Sequence, residues 1–203
     1  MGTSSLIDII GSFFVAGILL LMGLQLNASS NEVRATYSGN YTLQTDLTTL
    51  IELLQADFRK IGYCRAWQKM TSPAVTIAEQ HRIRYKADLN NNGNVDSVTY
   101  YTGSTSELTD TPNPYDFYLY RQVDTQTPIR YNLGLIQFDL AYRNATDDSL
   151  TFPISDTRTV YYMSISLAVS SPAPYKDEFT KDTSMYQVYW KQMRLVSKNL
   201  TNR

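Results

Sequence analysis

Residues 6–26, LIDIIGSFFVAGILLLMGLQL, are apolar on every side except at Asp8, and the run is long enough to cross a hydrocarbon core as one helix. Polar positions return at 27–31 and 37–41. Then Leu43, Leu47, Leu50, Leu54, Phe58 and Ile61 recur at steps of four and three, the spacing of a helix with one buried face. Thr45, Thr48, Thr49, Glu52, Gln55 and Arg59 form the opposite face. No proline precedes Pro73. The pattern therefore predicts one rod from about Ser5 to Ile61, about 85 Å long, weakest near Ser29 and Gly39 and closed by Lys60 and the helix-stopping Gly62.

Past Gly62 the helical period gives way to short alternating segments. Strands are predicted at Arg82–Lys86, Ser97–Tyr101, Phe117–Gln122, Ile136–Arg143, Val160–Val169 and Val188–Leu195, separated by turn-rich stretches at 91–94, 112–114, 147–149 and 170–176. One face of an antiparallel sheet made from them would cover the stripe 47–61. The fold class is thus α+β: a long N-terminal hydrophobic helix whose C-terminal half packs on a β-sheet body. Three regions follow: a hydrophobic stem at 1–29, the amphipathic half of the helix at 30–62, and a β-rich body at 63–203.

Composition narrows the chemistry. Sixteen tyrosines and many Ser and Thr suit strands with one wet face. A formal net charge of -1 gives no general pull toward nucleic acid or anionic lipid. Cys64 and His81 are the sole cysteine and histidine, so an intramolecular disulfide is excluded, and nucleophilic dyads and His-rich zinc sites have almost nothing to work with. Cys64 reads as a small buried hydrophobe and His81 as a strand-entry residue. No pair of carboxylates is spaced for acid and base work, so the chain does not read as an enzyme. Asn27, Asn40, Asn144 and Asn199 begin Asn-x-Ser/Thr sequons, in numbers expected by chance in so Asn-, Ser- and Thr-rich a chain.

Asp8 is the one charge in the apolar run, and in lipid it calls for a partner. Two readings are compatible. Ser5 with Asp8 fits a capping box at the helix start, or Asp8 pairs with another subunit. Neither Lys nor Arg occurs before Arg34, so either a basic leader has been removed or the large domain sets the orientation.

The segment SLIDIIG followed by the apolar run resembles the N-terminal signature of type IV pilins and pseudopilins. Three body segments are similar to the minor pilin of the W type and the J-type pseudopilin: LLQADFRKIGY at the helix end, YNLGLIQFDLAYRN in the middle and VYWKQMRLVSKNL near the C-terminus. The resemblance implies that Asp8 is the acidic residue that pairs with a neighbouring subunit's N-terminal amine and sets register, with Leu6, Ile7, Phe13, Phe14 and Leu20 in the assembly surface. It also implies a membrane-inserted precursor in the inner membrane, a prepilin peptidase and pilus assembly machinery as partners, and a homo-oligomer or co-pilin filament at the cell surface. Three departures stand out: Asp8 replaces the usual Glu, cleavage after Gly2 would make it sixth in the mature chain, and the usual mid-helix proline is absent.

DLNNNGNVD, residues 88–96, sets Asp88, Asn90, Asn92, Asn94 and Asp96 at positions 1, 3, 5, 7 and 9 of a calcium-loop pattern, with Gly93 where such a loop turns sharply. Thr99 stands where an EF-hand has its bidentate Glu. The same residues also fit an Asn-Gly hairpin turn, and calcium is expected to bind only modestly.

Two functional readings remain. One is a structural subunit of a type IV pilus-like extracellular filament, assembled through the apolar helix with Asp8 setting register. The other is a monomeric, single-span membrane-anchored module that binds calcium or a surface ligand.

Overall fold

The computed structural model describes residues 3–172, 174 and 185–195, and the side chains of 3–6 and 35 lie outside that description. Asn199 and the last part of VYWKQMRLVSKNL fall outside it too.

Helix α1 runs uninterrupted from Thr3 to Phe58. Ser29 and Gly39 do not loosen it. The hydroxyls of Thr36, Thr42, Thr48 and Thr49 each donate to the carbonyl four residues back, so these side chains are satisfied within the helix. Ser5 is already inside the helix and the first turn holds no acid, so the capping-box reading of Ser5 and Asp8 fails. The C-terminal end comes at Phe58, before Arg59 and Lys60, and the chain leaves through a tight turn in which Gly62 has φ +74° and donates its N–H to the Lys86 carbonyl at 2.8 Å. A glycine takes that left-handed conformation without the clash a Cβ would bring.

The residues pack as two units, Met1–Thr42 and Leu43–Arg203. Within the first, none of the described side chains is buried. Within the second, Leu43, Leu50, Leu54, Phe58 and Ile61 are each at most 2% exposed and Leu47 is partly buried, so the stripe read from the sequence is the helical side of the core. Each such side chain contributes roughly 1.5–3 kcal/mol on leaving water, an upper estimate because unfolded chains are themselves partly compact.

Two antiparallel sheets complete that core, where the sequence reading had one. The first has five strands in chain order, β1 (Val75–Ala78), β2 (Arg82–Ala87), β3 (Asp96–Thr102), β4 (Leu119–Val123) and β5 (Ile129–Tyr131); the second has three, β6 (Leu135–Arg143), β7 (Tyr162–Ser170) and β8 (Val188–Leu195). The six predicted strands match β2, β3, β4, β6, β7 and β8 to within two residues. Strands β1 and β5, four and three residues long, carry too short a pattern to be seen. The sheets separate at Gly134, whose φ is +62° and whose absent Cβ would lie 2.6 Å from the Ser170 carbonyl oxygen. They stay joined by backbone bonds from Leu140 to Gln80 and from Phe117 to Leu135.

Candidate functional site

Three sets of residues carry chemistry. The first lies on the apolar half of α1, a helix long and apolar enough to cross a membrane, with a mean hydropathy of 2.3 over an 18-residue window. Ile7, Phe13, Phe14 and Leu20 are between 66% and 75% exposed; Leu6 lies on the same helix, its side chain outside the described part. Asp8 is exposed beside them, the sole charge before Glu32. At helical spacing it shares a face with Gly11 and Ser12, and around Gly11 there is open space for a partner. All six assembly residues read from the sequence therefore belong to one helix segment.

The second set is the β2–β3 connection. Ala87 pairs with Asp96, so residues 88–95 form the hairpin loop. It is too long for a two-residue Asn-Gly turn. Positive φ falls at Asn91 and Gly93, the latter at +81°. Asp88 is 1% exposed and organises the loop: Oδ1 accepts from the Asn92 N–H at 3.0 Å, and Oδ2 accepts from the N–H groups of Gly93 at 2.8 Å and Arg65 at 3.2 Å. Burial alone would push its carboxyl up, but these backbone donors outweigh it and hold Asp88 below the usual carboxylate range. Asp96 accepts from the Leu89 N–H, Asn90 from Asn92, Asn92 from Asn94, and Asn94 from the Lys69 ammonium. Four of the five candidate ligands thus lie in one loop, and the fifth, Asp96, opens β3 beside it. Any cation there competes with these donors for oxygen lone pairs. Among the described residues, no three His, Cys, Asp or Glu side chains gather as a metal-holding group.

The third set was missed by sequence reasoning. Asp57, on the last turn of α1, is 7% exposed; its Oδ2 accepts from the Tyr100 hydroxyl at 2.7 Å and from Arg121 Nε at 2.6 Å. Phe58 meets the rings of Tyr85 and Tyr100 edge to face. Helix α1 is thereby fastened to β4 by a largely buried ion pair, to β3 by a hydrogen bond, and to β2 and β3 by aromatic contact. A signal was present: Asp57 sits three after Leu54 and four before Ile61, an acid on the apolar stripe.

A family model, prepilin peptidase-dependent protein B, matches residues 36–182, well over half of the chain. The chain belongs to that family. It is accordingly a pilin-related protein. The matched range begins after the apolar half of α1, so membership rests on the amphipathic half and the body, Asp57, Tyr100, Arg121 and the Asp88 loop included. No curated protein and no solved structure matches the chain. For this member of the prepilin peptidase-dependent protein B family, the family name itself links it to the prepilin peptidase.

Proposed function

We propose that this protein is a structural, non-catalytic subunit of a type IV pilus-like filament. One observation carries the reading: a helix segment apolar on every side, with every described side chain out of the core and a single carboxylate near its start. Such a segment needs either lipid or other copies of itself around it, and bundling satisfies both the apolar surface and Asp8. An unpaired carboxylate in an apolar bundle costs several kcal/mol, so the partner of Asp8 fixes the axial register between subunits. The same segment holds the precursor in the inner membrane until assembly. Prepilin peptidase and the assembly machinery are the partners that this cycle requires, and co-pilins or further copies of this chain are its neighbours at the cell surface.

Gly93, at φ +81° in the position where a calcium loop turns sharply, supports a second element of the reading. Asp88, Asn90, Asn92, Asn94 and Asp96 would hold calcium at the modest affinity of extracellular modules.

Asp8→Ala is the test of assembly. Negative-stain microscopy of the full chain, expressed with its assembly machinery, is expected to show filaments that the variant lacks, while the circular dichroism of the body stays unchanged. Normal filaments from Asp8→Ala would remove Asp8 from the register. A detergent-dependent monomer that never forms fibres would instead favour the membrane-anchored module.

A further inference from the structure

The balanced charge of the chain is unevenly spread. On β2 the inward positions Ile83, Tyr85 and Ala87 are fully buried, so Arg82, Arg84 and Lys86 all stand on the other face of the five-stranded sheet. Alternate residues of a strand repeat at about 7 Å, so these three cations form a regular row along the strand. Across the sheet, the register Arg82–Tyr101–Tyr120–Arg130 adds a fourth cation on β5, about 14 Å from the first by strand spacing. Tyr101 and Tyr120 lie between them as a stacked pair with centroids 4.9 Å apart.

Arg84, Lys86 and Arg130 are each steadied by a neutral group, the Nε of Arg82 is buried, and among the described residues none of the four forms an ion pair. Arg84 Nε donates to the Thr99 hydroxyl at 3.0 Å, Lys86 Nζ to the Thr71 hydroxyl at 2.7 Å, and Arg130 lies 5.0 Å from the Tyr118 ring centroid. Arg82 Nε has no acceptor. Two carboxylates border the row and keep their charge, each held by neutral donors and not by these cations: Glu107 accepts from the Tyr120 hydroxyl and the Ser104 N–H, and Asp124 from the Ser97 N–H.

We infer that this sheet face binds the phosphate backbone of a nucleic-acid strand. A linear row of cations outside any ion pair suits a linear polyanion with regularly spaced charges. Three of the four are arginines, whose planar forks match phosphate oxygens. Aromatic rings beside a cationic track on a sheet are the arrangement that holds single strands. The inference concerns the body alone and stands or falls separately from filament assembly.

The test uses the full chain in nonionic detergent and a labelled single-stranded DNA oligonucleotide of about 20 nucleotides, followed by fluorescence anisotropy between about 50 and 200 mM salt. The wild type is expected to bind at low salt and weaken steeply as salt rises. The triple variant Arg82→Gln, Arg84→Gln, Arg130→Gln is expected to bind at least tenfold more weakly, with a salt slope shallower by about 2, since each single-strand phosphate contact adds about 0.7. Lys191→Gln, a cation removed from the other sheet, is expected to change nothing. If near-ultraviolet circular dichroism shows the triple variant misfolded, the exposed Arg130→Gln alone decides, with a slope shallower by about 0.7. No binding at low salt, equal binding by the variants, or an equal effect of Lys191→Gln would overturn the inference. Tighter binding of heparin or of phosphatidylglycerol vesicles than of the oligonucleotide would overturn it as well.

Discussion

Asp57 shows what a single side chain does here. It brings a negative charge into the core, where Arg121 and Tyr100 meet one of its oxygens. Removing one partner of a buried pair leaves the other uncompensated, so Asp57→Ala is expected to cost about 3–5 kcal/mol, read as a lower urea midpoint with unchanged slope. Buried phenols add a pH dependence of predictable sign. Burial first, then the charge of Asp57, pushes the hydroxyls of Tyr85 and Tyr100 up from 10.0. The unfolded chain sheds those protons near pH 10 and the native state keeps them. Stability is therefore full below about pH 10 and falls as pH rises beyond it. Thermal melts from neutral pH to the alkaline limit should show this decline, and Tyr100→Phe should flatten it; an identical decline in that variant would assign it elsewhere.

At the scale of elements, the junction of α1 with β2 carries the most detail. Gly62 lets the chain turn at φ +74° and bond to Lys86, and three residues later the Arg65 N–H donates to Asp88, which organises the β2–β3 loop. Gly62→Ala is expected to cost about 1–2 kcal/mol, measured by denaturant unfolding. Calcium in the loop is a question for the same element. If bound there, millimolar calcium raises the thermal midpoint relative to chelator, because a ligand specific to the native state stabilises it, and Asp96→Asn abolishes the rise. An unchanged midpoint would leave Asp88 as a structural acid that ties the loop to Arg65, Asn92 and Gly93.

For the molecule as a whole, the core residues all lie from Leu43 onward, whereas the apolar half of α1 contributes none. A chain beginning at Asn31 is accordingly expected to stay folded and soluble without detergent, with a thermal midpoint close to that of the full chain. A collapse of its midpoint would mean that the first helical half supports the body.

Local pattern was enough for much of this. Helix α1, its apolar and amphipathic halves, the stripe from Leu43 to Ile61 and six strands follow from periodicities of 3.6 and 2, which act between near neighbours in the chain. Asp8 and the Asp88 loop were visible for the same reason, as an isolated charge and a compact spacing. Tertiary structure decided the rest. The partition into two sheets depends on the turn at Gly134 against Ser170. The Asp57 pair joins residues 43 and 64 positions apart. The row of Arg82, Tyr101, Tyr120 and Arg130 exists only through strand register. Such features are pairings between distant segments, and no local periodicity encodes which distant residue a side chain will meet.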